Sequence, residues 1–349
     1  MQPADPALIP ALINEAAARL DAGELVAFAT ETVYGLGADA LNERAVAKVF
    51  KTKRRPPTNP LIVHVADTEM AATVTRQWPD AAARVARAFW PGPVSIILPK
   101  GDTIPAIVTA HSQTVAIRCP DHPIALALIR ALGRPVVAPS ANRSGCVSPT
   151  TAEHVAASFP DADFMILDGG PCQRGIESTV LSLVHTQPTI LRPGAISAMQ
   201  LADVLGQPVV QRASGRDPGS AEHETQAVAL SPGMLASHYA PDCAVALFDP
   251  GAFEAIRTAT IGPIVALVIH DRPDLVPPSH LHVMPETAAE YARVLYAALR
   301  QADDRHPSLI AIEAPPCSKH GATADESNDP EDALWQAILD RLHRAAAER

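Results

Sequence analysis

Short apolar runs alternate with amphipathic helical patterns along most of the 349-residue chain, and this alternation restricts the chain to an α/β fold. Apolar runs such as Leu25–Ala29, Leu61–Val65 and Val94–Leu98 predict buried strands. Stretches such as Asn42–Phe50 predict helices, and an asparagine at the first position is a good helix cap. For the first two-thirds of the chain we predict one α/β domain with a large, twisted, open sheet of mixed strand direction.

A polar stretch without periodicity, residues 212–233, interrupts this alternation and indicates an interdomain linker. Beyond it, a strand pattern restarts at Ala244–Phe248, and helices and strands alternate again up to the end of the sequence. This second region predicts a smaller, Rossmann-like α/β domain. We therefore divide the chain into a first domain at 1–208, a linker segment at 209–241 and a C-terminal domain at 242–349.

Composition excludes several classes of protein. No stretch approaches the ~20 apolar residues that cross a bilayer, and the N-terminal residues do not read as a signal peptide. The five cysteines are far apart, odd in number and without a CxxC pair, which disfavours disulfides and zinc. We expect a cytoplasmic protein without a membrane partner.

The net charge of −10 is unevenly spread. Residues 1–208 hold 17 basic and 18 acidic residues, whereas residues 209–349 hold 11 and 20. An acidic chain repels nucleic acid at long range, so the charge disfavours a broad RNA- or DNA-coating role. A small local basic pocket in the first domain remains compatible with this balance.

Three segments carry polar groups beside predicted strands. TETVYGLG (30–37) either grips a small substrate or is a turn that needs two glycines; we discount its loose GxGxxA match. KVFKTKRR (48–55) is either a solvated helix face or a cationic corner for a triphosphate. PSANRSGCVSPT (139–150) is either an ordinary polar loop or a phosphate-binding helix end.

Two arginines accompany apolar strands: Arg192 lies at a strand end, and Arg118 lies inside a strand, where a cation needs an anionic partner. Arg118 can pair with a carboxylate of this protein or of a substrate, and Arg192 can pin a phosphate or a carboxylate. His64 lies in a strand, where a lone histidine is more often structural. The chain lacks P-loop, HExxH and GxSxG motifs, which favours catalysis by positioning and charge stabilisation.

Taken together, the segments resemble the YrdC-like family of threonylcarbamoyl-AMP synthases, in its longer form with an additional C-terminal domain. Seven strings carry the resemblance in order over roughly residues 10–241: TETVYGLG (30–37), KRRPPTNPLIVHV (53–65), FWPGPVSIIL (89–98), PSANRSGCVSPT (139–150), GIESTV (175–180), LRPGAIS (191–197) and SPGMLASHYAP (231–241). Arg54 departs from the family pattern, because glycine is common between the two cations of this corner.

The resemblance implies a twisted open sheet around a basic cavity, in which L-threonine, bicarbonate and ATP with Mg²⁺ become threonylcarbamoyl-adenylate and pyrophosphate. Other proteins then transfer the group to tRNA, so tRNA or a transferase complex is an implied partner. The resemblance assigns catalytic roles to Lys53, Arg55, Ser140 and Asn142. It assigns threonine contacts to Thr32, His64, Arg118, Ala138 and Ser178. It assigns ATP contacts to Arg55, Asn59, Thr114, Ser140, Ser148, Arg192 and Tyr239, with residues 209–241 as a lid.

Two other functions stay open at this point. The first is an RNA-binding module whose cavity grips a nucleic-acid backbone without ATP chemistry, for which affinity would fall steeply with salt. The second is a carbamoyl-group transferase that acts on a different amine.

Overall fold

The computed structural model describes residues 9–212, 239–316 and 329–347 of the chain. Ten strands of the N-terminal part, residues 9–212, form one sheet: β1 (Val26–Phe28), β2 (Gly35–Asp39), β3 (Ile62–His64), β4 (Val94–Pro99), β5 (Thr114–Arg118), β6 (Val136–Val137), β7 (Met165–Leu167), β8 (Thr179–Ser182), β9 (Thr189–Arg192) and β10 (Val210–Gln211). Seven helices surround this sheet in the described residues: α1 (Ile9–Asp21), α2 (Glu43–Lys53), α3 (Thr68–Thr73), α4 (Asp80–Phe89), α5 (Pro123–Leu132), α6 (Ala152–Ser158) and α7 (Ala198–Leu205).

The strand order of this sheet is β10-β9-β8-β4-β5-β3-β6-β2-β1-β7. The sheet contains parallel pairs, such as β3 with β5 and β4 with β8, and antiparallel pairs, such as β4 with β5 and β2 with β6. The mixed, partly antiparallel sheet predicted from the sequence is therefore confirmed.

Apolar helix faces cover the sheet. Helices α1 and α5 pack on each other through residues such as Leu20 and Leu128, over Phe28 of β1. Helix α2 places Val46 and Val49 in a second core cluster, and α4 and α7 cover β4 and β8 in a third. Because aromatic residues are only 4% of the chain, alanine, valine, leucine and isoleucine fill these cores.

Strand β2 was not predicted. We expected Gly35–Asp39 to continue the loop after β1, but these residues pair with both β1 and β6. A Cβ on Gly37 would lie 2.7 Å from Phe28 Cε1, and one on Gly35 would lie 2.9 Å from Ala138 Cβ. The glycines therefore permit close packing inside the sheet rather than a turn. The short strands β10 and, further along, Leu281–Val283 were also missed.

The C-terminal part, residues 239–316 and 329–347, contains a second sheet. Its four strands are all parallel, in the order β11-β14-β12-β13: β11 (Ala244–Phe248), β12 (Ile264–Val268), β13 (Leu281–Val283) and β14 (Leu309–Glu313). Three helices accompany it: α8 (Phe253–Ala259), α9 (Ala288–Asp303) and α10 (Pro330–Ala346). The predicted small α/β fold is confirmed. The boundaries at 208 and 241 stay predictions, because 213–238 of the predicted linker lie outside the described residues.

The two parts share a buried core. Val33, Val147 and Ile176 of the N-terminal part belong to the same apolar cluster as α9 and α10 of the C-terminal part. Gly175 approaches α9 so closely that an added Cβ would lie 2.2 Å from the carbonyl oxygen of Ala292. This junction matters because Glu177 and Ser178, two and three residues after Gly175, line a small polar cavity. Within the described ranges, no helix has the length and apolar character needed to cross a membrane.

Candidate active site

A small polar cavity of about 50 Å³ lies at the end of strands β3 and β5. These strands run parallel and place His64 directly beside Arg118, so their last side chains reach the same edge of the sheet. Nine residues of the predicted site line this cavity: Thr32, Arg55, His64, Arg118, Ala138, Ser140, Ser178, Arg192 and Tyr239. Val33, Ile62, Pro139 and Glu177 complete the lining.

Arg118 is fixed by the loop that follows β1. Its Nη1 donates to Thr32 Oγ1 at 2.8 Å, and its Nη2 lies 2.5 Å from Glu31 Oε1 without hydrogen-bond geometry. The Thr32 hydroxyl is held in turn by Thr30 Oγ1 at 2.9 Å. The sequence left two anionic partners open for Arg118, a carboxylate of this protein or one of a substrate. The structure contains the first, the buried carboxylate of Glu31. The guanidinium still faces the cavity.

Arg192 and Ser178 form the opposite wall. Arg192 ends β9, and its guanidinium donates to the backbone oxygen of Ser178 at 3.1 Å and to Ser178 Oγ at 3.2 Å. Ser178 immediately precedes β8, and its hydroxyl also shares a hydrogen bond of 2.8 Å with Ser95 Oγ. The hydroxyl is therefore oriented by two partners beside the cavity.

The cationic corner at the end of α2, residues 53–55, packs under the loop at 140–142. Asn42 caps the start of α2 with its side chain, and Arg54 ends the helix in a left-handed conformation with φ of 51°. Lys53 Nζ donates to the backbone oxygens of Ser140 and Asn142, the latter at 2.5 Å. The two stretches on which the predicted pocket depends, 53–55 and 140–142, therefore meet in the structure.

Arg55 turns toward the cavity and is held by the following loop. Its Nη2 donates to Asn59 Oδ1 at 2.6 Å and to the oxygen of Pro60 at 2.7 Å, while Nε donates to the oxygen of Asn59. Arg54 is exposed and does not line the cavity, so the departure from the family pattern does not crowd this space. Glycine, the residue common at this place in the family, suits position 54 because the backbone there has a positive φ.

Buried cations dominate the electrostatics of this region. Burial lowers the pKa of Lys53 well below its usual value, and neighbouring Arg55 lowers it further. Burial likewise lowers the pKa of Arg55 to about 9 and lowers that of Arg192. Burial, followed by the charge of Arg118, lowers the pKa of His64 to about 3, so this imidazole is neutral at physiological pH. A cluster of this kind favours an anionic ligand, whose charge would offset the cost of burying the cations.

Five residues of the predicted site do not line the cavity: Lys53, Asn59, Thr114, Asn142 and Ser148. Four of them instead hold residues that do, or fold the adjacent loop. Asn142 Nδ2 donates to the backbone oxygens of Arg143 and Cys146, and Ser148 Oγ donates to Glu177 Oε1 at 2.7 Å. Thr114 begins β5, at the opposite end of the strand from Arg118, and its hydroxyl bonds to Ser112. The structure therefore does not bring Thr114 to the cavity.

Tyr239 closes the cavity from the C-terminal part. It is 1% exposed, and its ring stacks on Tyr296 of α9 at 5.7 Å. The next residue, Ala240, pairs with Cys146 and donates to the oxygen of Gly145. The chain beyond residue 238 therefore lies against the 139–150 loop, as the resemblance implied for Tyr239, whereas most of the predicted lid segment lies outside the described residues.

Sequence reasoning missed Glu177 as a lining residue. It stands inside the GIESTV string, next to the predicted contact Ser178, but a single glutamate there had no visible partner. Its partners are Ser148, Tyr296 and Arg341, which lie 29, 119 and 164 residues away. No local pattern connects residues at such separations.

Two family models match consecutive parts of the chain. The Sua5, YciO and YrdC model, described as "Telomere recombination", matches residues 18–194. A second model, "Threonylcarbamoyl-AMP synthase, C-terminal domain", matches residues 196–347. The chain belongs to the Sua5, YciO and YrdC family. The second match places it among the family's longer members.

Relatives in this family align over nearly the whole chain. The threonylcarbamoyl-AMP synthase of Bacillus subtilis is 40% identical over 97% of this chain and 93% of its own length. The threonylcarbamoyl-AMP synthase of Pyrococcus abyssi is 36% identical over 97% of this chain and 94% of its own length. The crystal structure of P. abyssi Sua5 complexed with L-threonine matches with a TM-score of 0.83, at 34% identity over 97% of this chain and 94% of that one.

Proposed function

We propose that this chain is a threonylcarbamoyl-AMP synthase, which converts L-threonine, bicarbonate and ATP into threonylcarbamoyl-adenylate and pyrophosphate. Relatives that bear this name align over nearly the full length. The observation that carries the proposal is the cavity itself, where three buried arginines, Arg55, Arg118 and Arg192, converge with hydroxyl groups. Such a lining suits two anionic substrates, a carboxylate and a triphosphate.

The two walls suggest separate roles. On the first wall, Arg118 holds the threonine carboxylate and Thr32 orients its polar groups, beside neutral His64 and the small side chain of Ala138. Ser178 completes the threonine site from the opposite wall. On the other wall, Arg55, Ser140 and Arg192 bind the phosphates, while Lys53 supports the Ser140 loop from beneath. Asn59, Thr114, Asn142 and Ser148 remain predicted ATP or catalytic residues.

The chemistry needs no protein nucleophile. The threonine amine attacks CO₂ derived from bicarbonate and loses a proton, giving a carbamate. A carbamate oxygen then attacks the α-phosphorus of ATP, and the bond to the β-phosphate oxygen breaks, so that pyrophosphate leaves. The arginines stabilise the negative charge that develops on the departing group, which lowers the barrier by charge stabilisation and positioning.

Mg²⁺ remains a proposed companion of ATP rather than a metal held by the protein. In the described ranges, no group of three or more histidine, cysteine, aspartate or glutamate side chains could hold a metal ion. The one carboxylate among the described residues that line the cavity is Glu177, and both its oxygens already accept hydrogen bonds. The described lining residues therefore do not form a metal cage, and Mg²⁺ would reach the site bound to the phosphates of ATP.

Substrates require this cavity to open. Its volume of about 50 Å³ has room for a few water molecules at most, whereas pockets for drug-sized ligands measure roughly 300–1,000 Å³. Tyr239 is the lining residue contributed by the C-terminal part, so its movement would enlarge the space. We propose that Tyr239 and the preceding segment act as a lid that excludes water from the labile carbamate.

The test is pyrophosphate release with each of threonine, bicarbonate, ATP and Mg²⁺ omitted in turn, and with serine in place of threonine. Release that requires all components and prefers threonine supports the proposal. Release with another amine would favour a different carbamoyl-group transferase. Salt-sensitive RNA binding without ATP turnover would favour an RNA-binding module. Transfer onto tRNA by a partner complex in the cytoplasm is the proposed fate of the product.

One variant pair sharpens this test. Arg118→Gln should raise the KM for threonine at least tenfold, because a buried ion pair with the carboxylate is lost. Arg19→Gln removes an exposed arginine of α1 that pairs with Glu15, and it should leave the KM unchanged. Equal KM values in the two variants would contradict the role given to Arg118.

A further inference from the structure

The carboxylate of Glu177 stands on the wall of an otherwise cationic cavity. It is the one acidic side chain among the described lining residues, and it is only 8% exposed. A negative charge at this place works against the binding of a triphosphate. Its partners therefore matter for ATP binding as much as the arginines do.

Two of those partners come from the C-terminal part. Tyr296 of α9 donates its hydroxyl to Glu177 Oε2 at 2.9 Å, and Arg341 of α10 approaches the same oxygen with Nε at 3.4 Å. Ser148 of the N-terminal part donates to the other oxygen, Oε1, at 2.7 Å. The carboxylate is thus clamped between the two parts of the chain.

Arg341 is a buried cation placed behind this carboxylate. The residue is 1% exposed, and its guanidinium carbon lies 5.8 Å from the centre of the Tyr239 ring. Its Nη1 also donates to Asp340 at 3.1 Å, but Asp340 has a second partner in Arg344. If Arg341 were removed, Asp340 would keep Arg344, and Glu177 would lose its partner of opposite charge on the C-terminal side.

Glu177 carries a negative charge at neutral pH. Burial alone would raise the pKa of its carboxyl group, but Arg341 and then Arg192 hold this pKa below its ordinary value. Arg192 is also a proposed phosphate ligand, and it donates to Ser178, the residue next to Glu177. Glu177 competes with phosphate for the positive charge of Arg192. Because Arg341 offsets the charge of Glu177, Arg192 remains available to phosphate.

We propose that Arg341 is a positioning residue of the ATP site, which holds and neutralises Glu177 so that the phosphate wall of the cavity stays positive. The inference rests on the proposed ATP-dependent function and adds a task for the C-terminal part. Helix α10 supplies a charge on which ATP affinity depends, although Arg341 itself does not line the cavity.

The experiment is a double-mutant cycle on the full chain, with ATP affinity measured by calorimetry at low salt in the presence of threonine. Arg341→Gln should weaken ATP binding about tenfold, the size expected for one uncompensated charge within about 10 Å in a poorly screened site. Glu177→Gln removes the opposing charge and should tighten ATP binding. The double variant should return to within about threefold of the wild type.

Two further variants act as controls. Arg344 lies on the same helix and also donates to Asp340, but it does not contact Glu177. The variant Arg344→Gln should therefore bind ATP within about twofold of the wild type. Tyr296→Phe removes a hydroxyl donor to Glu177 with little change of shape, so it should weaken ATP binding about two- to fivefold. Melting temperatures are recorded for all variants. If Arg341→Gln does not fold, Tyr296→Phe and Glu177→Gln carry the test through their opposite directions.

The direction of the effects separates this role from a purely structural one. A general loosening of the junction would weaken ATP binding in both Arg341→Gln and Glu177→Gln, without recovery in the double variant, and that result overturns the inference. An Arg341→Gln variant that behaves like Arg344→Gln overturns it as well. A wild-type chain that does not bind ATP would instead refute the proposed function.

Discussion

The contact between Gly175 and helix α9 offers a direct test of how the two parts of the chain pack. Gly175 has a φ of 76°, and an added Cβ would lie 2.2 Å from the oxygen of Ala292 and 2.4 Å from Arg293 Cα. Gly175→Ala therefore loses stability in two ways. A side chain in the left-handed backbone conformation costs roughly 1–2 kcal/mol, and overpacking against α9 costs roughly 1–3 kcal/mol. We expect the variant to be destabilised by about 2–5 kcal/mol.

Gly170→Ala is the matched control for this variant. Its φ of 78° is nearly the same, but a Cβ there meets nothing within 4 Å, so it should cost only the backbone term. Urea titrations followed by circular dichroism, run on both variants and the wild type, measure the difference. A Gly175→Ala variant as stable as Gly170→Ala would refute the close approach of α9 and the shared core built on it.

Three further outcomes follow from the site. Arg54→Gly should raise the stability to urea by about 0.5–1 kcal/mol, because Arg54 has a φ of 51° at the end of α2. The pKa of His64 falls to about 3 in the folded chain from an ordinary 6.5, so the folded state loses stability as the pH drops below 6.5. By pH 4.5 this loss is roughly 2–3 kcal/mol, and His64→Asn should lack it when stability is measured at pH 7.5 and 4.5. Lys53→Met leaves the oxygens of Ser140 and Asn142 without this donor, so kinetic assays should show the KM for ATP rising about tenfold and that for threonine far less.

Local patterns were sufficient for most of the fold. Strands such as Ile62–His64 and helices such as Pro123–Leu132 were predictable because apolar periodicity and caps act between neighbouring residues. Strand β2 was not, because its sequence GLGAD has little strand propensity and is held by its two neighbours and by close packing on Phe28.

The convergence of the 53–55 corner with the 140–142 loop was anticipated from the resemblance, and the structure contains it. The sequence could not say that Lys53 would lie beneath the loop while Arg55 lines the cavity. Both are cations near a helix end, and only the direction of each side chain in the folded chain distinguishes them. The same holds for Thr114 and Arg118, which share one strand but lie at its opposite ends.

By itself, the sequence determined the α/β class, the two regions of the chain and the residue types that gather around the cavity, because these depend on local periodicity and on recognisable strings. Only the tertiary structure decided that Tyr296 and Arg341 reach Glu177 at the wall of the cavity. Both come from the region beyond the predicted linker, and they lie 119 and 164 residues from Glu177 along the chain. The hydroxyl of Tyr296 and the charge of Arg341 act on the Glu177 carboxylate through space in a buried, weakly screened setting, so their effect depends on distance in the fold and not on position along the chain.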